Sequence, residues 1–173
     1  MIAFIRTLTQ NRIAWAILLG STLFLELCGM FFQHVMGLQP CVMCIYQRVA
    51  ILGIMAGAAI GFINPKNFFL RWSGLLLWAY SSVQGLRLAL RHTDIQIHPS
   101  PFNTCDLFVS FPQWLPLNKW APWFFNATGE CSEIQWQFLS WTMPQWLIVA
   151  FGIYTVCSFI IIAGNLIKGR CCG

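Results

Sequence analysis

Four apolar runs, Ile13 to Phe32, Val42 to Ile63, Trp72 to Leu90 and Gln145 to Gly164, leave this chain very few folds to choose from. Each is close to the ~20 residues an α-helix needs to cross the hydrocarbon core of a bilayer. With 58% hydrophobic and 9% charged residues over 173 positions, a soluble domain would lack the polar surface to face water. The expected fold is an all-α integral membrane protein. It is one domain over residues 1–173, a four-transmembrane-helix bundle with external loops at about 33–41 and 91–144. No soluble second domain or nucleotide-binding glycine loop is visible, and a net charge of +5 reflects anchoring basic residues rather than nucleic-acid binding.

Four crossings return both termini to one side, and the basic residues say which. Arg6, Arg12, Lys66, Arg71, Lys168 and Arg170 flank the spans on the terminal side, against Arg91 and Lys119 on the other. Positive residues accumulate on the cytoplasmic side, so both termini are expected there and the loop from Arg91 to Pro144 faces outward. The first span reads as permanent. Its apolar run exceeds the roughly 7 to 15 residues of a signal-peptide core, and no small-x-small cleavage pattern follows.

The eight cysteines sort by depth. Cys41, Cys44, Cys105 and Cys131 are external, Cys28 and Cys157 lie within spans, and Cys171 and Cys172 sit at the inner end. Thiols in an oxidising periplasm become disulfides, whereas inner ones stay reduced. Cys28, Cys157, Cys171 and Cys172 are expected to be chemically inert.

Pro40-Cys41-Val42-Met43-Cys44 reads as a helix beginning just after a proline. Unpaired backbone N–H groups and the positive end of the helix dipole favour a thiolate there, which is the reactive form of the side chain. Positions 41, 44 and 48 follow helical spacing, so Arg48 shares their face about 10 Å deeper. A guanidinium inside a span costs up to about 2.5–3.5 kcal/mol, and something must justify it. Two explanations compete. Glu26, about 9 Å inside the first span, is placed for an ion pair with Arg48; alternatively Arg48 stabilises negative charge that arises in turnover, on Cys44 or on a bound acceptor.

Other uses of the four external cysteines are zinc binding and plain structural stapling. A four-cysteine zinc site normally has two close-spaced pairs, and Cys105 and Cys131 are 26 residues apart. A CxxC at the membrane edge is a poor staple, because the helix already fixes those residues. It is a good place to exchange electrons with a lipid-soluble oxidant.

The ordered segments FQHVMGLQPCVMCIYQR (32–48), RHT (91–93), HPSPFNTCDLFVSFPQWLPLNKW (98–120), GEC (129–131) and MPQW (143–146) resemble the DsbB family of disulfide bond formation proteins over nearly the whole chain. The resemblance implies a bundle in the bacterial inner membrane that reoxidises the periplasmic dithiol oxidase DsbA and passes the electrons to a quinone, ubiquinone or menaquinone. DsbA is a known strong oxidant, near about −120 mV. A glutathione-like couple near about −190 mV would face roughly 3 kcal/mol uphill in reoxidising it, so a stronger acceptor is needed.

Position by position, the resemblance makes Cys105 the sulfur attacked by reduced DsbA, Cys131 its partner that later exchanges with Cys41, and Cys44 the thiolate facing the quinone beside Arg48. It also places His92 and Met143 in the quinone pocket. Position 47 is Gln where a relative has an acid, which puts a proton-handling role for that side chain in doubt. No metal is implied.

The rest reads as architecture. Gly53, Gly57 and Gly61 form a small-residue stripe suited to close helix approach. The stretch Phe111 to Phe125, with Trp114, Trp120 and Trp123 among prolines, is expected to form a short helix lying flat at the membrane interface.

Overall fold

A computed structural model describes residues 7–99, 105, 109–111 and 116–167 of the chain. Arg6, Trp114, Lys168, Arg170, Cys171 and Cys172, singled out above, lie outside the described residues. In chain order the elements after a short helical stretch at 7–10 are α1 (Arg12–His34), α2 (Val42–Ile63), α3 (Phe68–Ile97), α4 (Leu117–Trp120), α5 (Pro122–Phe125), strands β1 (Gln137–Phe138) and β2 (Trp141–Thr142), and α6 (Met143–Leu166). The four apolar runs lie within α1, α2, α3 and α6. Of these, α1, α2 and α6 are long and apolar enough to cross a membrane. At 30 residues α3 is the longest, but Arg71, Arg87 and Arg91 dilute its apolar character.

Local chemistry fixes the helix starts. Asn11 and Asn67 cap α1 and α3, their side chains accepting from Ile13 N at 3.0 Å and Phe69 N at 2.9 Å. At the head of α6, Gln145 Oε1 accepts from Thr142 N at 2.9 Å, and Pro144 occupies a first-turn position where no N–H is needed.

α2 packs against both α1 and α3, and α3 against α6. The core runs from Trp15 and Leu18 through Ala50, Ile51, Ile54 and Ala58 to Leu75, Trp78 and Phe151. The glycine stripe lets α2 and α3 approach closely: a Cβ at Gly57 would collide with the Gly74 carbonyl, and one at Gly74 with the Gly57 carbonyl. Outward faces stay apolar, with Phe24 and Leu27 on α1 and Ile153, Val156 and Phe159 on α6 exposed. A helix bundle with so oily an exterior is soluble in lipid rather than water.

The loop departs from expectation in two places. Instead of one short helix, Leu117–Trp120 and Pro122–Phe125 are separate single turns. Ala121 between them has φ −138° and ψ 71°, because the ring of Pro122 bars its predecessor from helical geometry and then starts a new turn. The loop also ends in an unforeseen hairpin. Gln137 pairs with Thr142 and Phe138 with Trp141 around Leu139 and Ser140, whose φ values of 53° and 65° belong to a mirror-image turn that normally calls for Asn or Gly.

Candidate active site

Cys41 is the N-cap of α2. Its sulfur accepts from Cys44 N at 3.2 Å, lies 2.7 Å from the Cys44 sulfur without being bonded to it, and sits 3.6 Å from His92 Nε2 on α3. Cys105 and Cys131 are joined as a disulfide that packs with Cys41, Met43 and Ile95 in one small apolar cluster. Cys41 and Cys131 are each only 3% exposed, so the two sulfur pairs meet with water largely excluded. The loop is tied to that spot. Thr128 N and Gly129 N both donate to the Pro40 carbonyl, at 2.9 and 3.1 Å, and Gln39 N donates to Gln135 Oε1 at 2.9 Å. Further along, Ser110 N donates to the Tyr46 hydroxyl at 2.9 Å.

Beneath the sulfurs lies a cavity of about 430 Å³. Its walls are mostly apolar, with Leu25, Phe32, Ile51 and Leu147 among them, and Cys41, Cys44, Arg48, His92 and Met143 all reach it. Thus the helical spacing of 41, 44 and 48 does place the three on one surface. Cys28, expected to be inert, also lies on the wall, while Cys157 faces outward.

Arg48 is 8% exposed and works as a cross-tie. Its guanidinium donates to Gln33 Oε1 and, at 2.7 Å, to the Gly29 carbonyl on α1, and at 3.2 Å to the Phe124 carbonyl of the loop, with its charge 5.1 Å from the centre of the Phe124 ring. Glu26 is not its direct partner. Both carboxyl oxygens of Glu26 are buried on the same cavity wall with no hydrogen bond among the described residues. The hydrogen bonds that hold the buried charge come from two carbonyls and an amide, not from the Glu26 carboxyl.

Outside the spans, two groups are shifted. The Cys41 thiol is pushed up, first by its hydrogen bond to Cys44 and then by burial. Burial, partly opposed by the Cys131 backbone, pushes His92 down to about 4, so its imidazole is neutral at physiological pH.

Zinc held by four cysteines is not assembled here. Cys105 and Cys131 are bonded to each other, leaving Cys41, Cys44 and His92 with ligand atoms within 4.8 Å of one another. Gln33, Gly29 and Phe124 were not anticipated. Gln33 had a signal, since 26 and 33 fall on one face of α1; the Gly29 and Phe124 carbonyls had none.

Paired thiols on the wall of an apolar cavity, packed against a loop disulfide at one end of a membrane bundle, define a membrane protein built for thiol–disulfide chemistry. Comparison with known proteins makes this specific. Residues 11–161 match the family model for disulfide bond formation protein DsbB. A disulfide bond formation protein B of Aeromonas salmonicida is 54% identical over 172 residues, 99% of each chain, and one of Vibrio cholerae is 50% identical over 168 residues, 97% of each. The chain belongs to the DsbB family, and with it to the disulfide-forming oxidoreductases.

Proposed function

We propose that this chain is a single-domain protein-dithiol:quinone oxidoreductase of the bacterial inner membrane. It crosses four times, α3 included, with both termini cytoplasmic and the cysteine end periplasmic. The polar residues of α3 do not forbid a crossing, because α2 and α6 pack against that helix. The observation that carries the reading is that Cys41 belongs to two surroundings at once, the cluster containing the Cys105–Cys131 disulfide and the wall of the apolar cavity.

In this reading, a thiolate of a reduced DsbA-like oxidase attacks Cys105. The Cys105–Cys131 bond breaks, a mixed disulfide forms, and the partner's second thiolate resolves it, leaving Cys105 and Cys131 reduced. Cys131 then attacks Cys41 of an oxidised Cys41–Cys44 pair, expelling Cys44 as thiolate. Cys105 displaces Cys41 from Cys131, and the loop disulfide is restored. The Cys41–Cys44 bond re-forms when the pair gives two electrons to a quinone.

The cavity suits such an acceptor in size and in its apolar lining with a few convergent polar groups. Arg48, His92 and Met143 would hold the head group against Cys44, and the quinone supplies the two-electron oxidising power. The fixed Arg48 charge stabilises the Cys44 thiolate, and neutral His92 stands 3.6 Å from the Cys41 sulfur as a hydrogen-bond partner.

Anaerobic mixing of purified protein, quinone and reduced DsbA tests this. Quinone absorbance should fall as DsbA is oxidised, and Cys44→Ser should abolish the absorbance change while Cys105–Cys131 still exchanges with DsbA. Two structural disulfides would ignore the quinone, and that result would end the proposal.

A further inference from the structure

We infer that Glu26 is a buried acid that delivers a proton to the acceptor occupying the cavity. This rests on the quinone-linked function proposed above and adds to it the route of one proton.

Glu26 is 5% exposed, lies on the cavity wall with Cys44 and Arg48, and neither of its oxygens has a hydrogen-bond partner among the described residues. An unpaired carboxylate in such a place is among the costliest groups a membrane protein can hold, and the neutral acid is the cheaper state. The obvious counter-ion makes no hydrogen bond to it: Arg48 donates to Gln33, Gly29 and Phe124, and its charge reaches Glu26 only through space. Nor is the neighbouring polar group an alternative proton source. Gln47, 1% exposed and also on the wall, has a partnerless amide that cannot ionise. The remaining carboxyls that reach the cavity, Glu130 and Glu133, are exposed loop residues and mark where it opens to water. Buried polar groups left without partners at a cavity wall are explained by what enters the cavity.

Proton counting supplies the task. Forming the Cys41–Cys44 bond removes two electrons, and a quinone that accepts them also takes a proton on each of its two oxygens. With Cys44 starting as thiolate, its proton already lost to water, the Cys41 thiol supplies only one. Glu26 gives the other: its O–H bond breaks as the O–H bond on the quinone oxygen forms. The carboxylate left behind shares the wall with the Arg48 charge, and water at the Glu130 and Glu133 mouth restores the proton.

Two measurements test this in the full-length reconstituted protein. Infrared spectra of the quinone-free resting form should contain a carboxylic C=O band that shifts in D2O and is missing from Glu26→Gln. Single-turnover mixing of the reduced protein with decylubiquinone should then be about 100-fold slower in Glu26→Gln, the usual size of a lost general acid. Exchange of Cys105–Cys131 with reduced DsbA should keep its rate, which also shows that the variant is folded. A wild-type spectrum without that band, or a Glu26→Gln protein that reduces decylubiquinone within twofold of wild type, overturns the inference alone. Wild-type protein that leaves decylubiquinone oxidised overturns the parent function and this step together.

Discussion

Arg48→His separates the two jobs that one guanidinium performs. The imidazole keeps an aromatic donor in the cavity but is too short to reach Gln33, Gly29 and Phe124 together, so at least two of the three hydrogen bonds go. Hydrogen bonds to a charged group contribute about 1.5–3 kcal/mol each, and the abandoned acceptors are buried, so the loss at the loop and α1 is several kcal/mol before relaxation. For chemistry, removing one preorganised donor from developing negative charge costs about 10²–10³ in rate. If Arg48 stabilises the Cys44 thiolate, single-turnover quinone reduction should fall by about 10²-fold. Thiol exchange between DsbA and Cys105, which does not touch Arg48, should change by less than about threefold. Stopped-flow absorbance of the quinone and acid-quenched thiol trapping read the two steps separately. Normal quinone kinetics combined with faster proteolysis of the loop near Phe124 would refute the charge-stabilising role and leave Arg48 as a structural tie.

Three further outcomes follow from particular contacts. A Cβ at Gly129 would strike the Gln39 carbonyl, so Gly129→Ala should push the Cys131 segment off Pro40 and slow Cys131-to-Cys41 transfer about tenfold or more. Trapped mixed disulfides would show this, with reduction of Cys105–Cys131 by DsbA unchanged. For His92, depressed from 6.5 to about 4 by burial, the unfolded chain binds the extra proton between those values. His92 therefore adds no pH-linked cost above pH ~6.5 and a destabilising one that grows as pH falls toward ~4. Thermal inactivation midpoints in detergent should drop across that window and flatten in His92→Gln. At the hairpin, replacing Leu139-Ser140 by Asn-Gly puts residues that tolerate the left-handed region at both turn positions and should stabilise by about 1–2 kcal/mol, read as a raised midpoint with unchanged turnover.

Helix placement was legible because span length and apolarity are properties of the local sequence, and Val42–Ile63 starts where Pro40-Cys41 says it should. α3 was harder. Its apolar stretch ends near Leu90, yet the helix runs on to Ile97 because His92 and Ile95 are buried at the cysteine cluster, a tertiary reward that no local window contains. The hairpin was missed for the opposite reason: Leu139-Ser140 lacks turn chemistry, and the conformation is imposed by its flanks, where Trp146 Nε1 donates to the Phe138 carbonyl at 3.2 Å and Trp141 packs on Trp146. Helical spacing brought Cys41, Cys44 and Arg48 to one surface, but it could not foretell that Arg48 is held by backbone carbonyls from two other segments. Main-chain oxygens carry no sequence signature. An ion pair with Glu26 was one of two explanations that charge left open; the guanidinium instead donates to neutral acceptors at 29, 33 and 124, and Glu26 acts on it only through space.

In the proposed relay, one sulfur serves both a loop and a lipid-phase oxidant without a moving helix. Cys41 is fixed by its capping role, since the chain must turn into α2 at that residue, so its position is set by backbone hydrogen bonds on both sides: Pro40 holds the loop through Thr128 and Gly129, and Cys44 N binds the sulfur itself. The partner that moves in this relay is Cys131, whose segment is held by hydrogen bonds to Pro40, Gln39 and His92 and by packing in the cysteine cluster. Breaking a few exposed hydrogen bonds in a loop costs far less than shifting a packed transmembrane helix, so exchange is cheapest when the loop sulfur swings and the helix sulfur waits. Burial of both sulfurs then acts as a filter. Small soluble reductants do not meet Cys41 or Cys131 directly, and the half-buried Cys105 is the loop sulfur left for the proposed partner to attack.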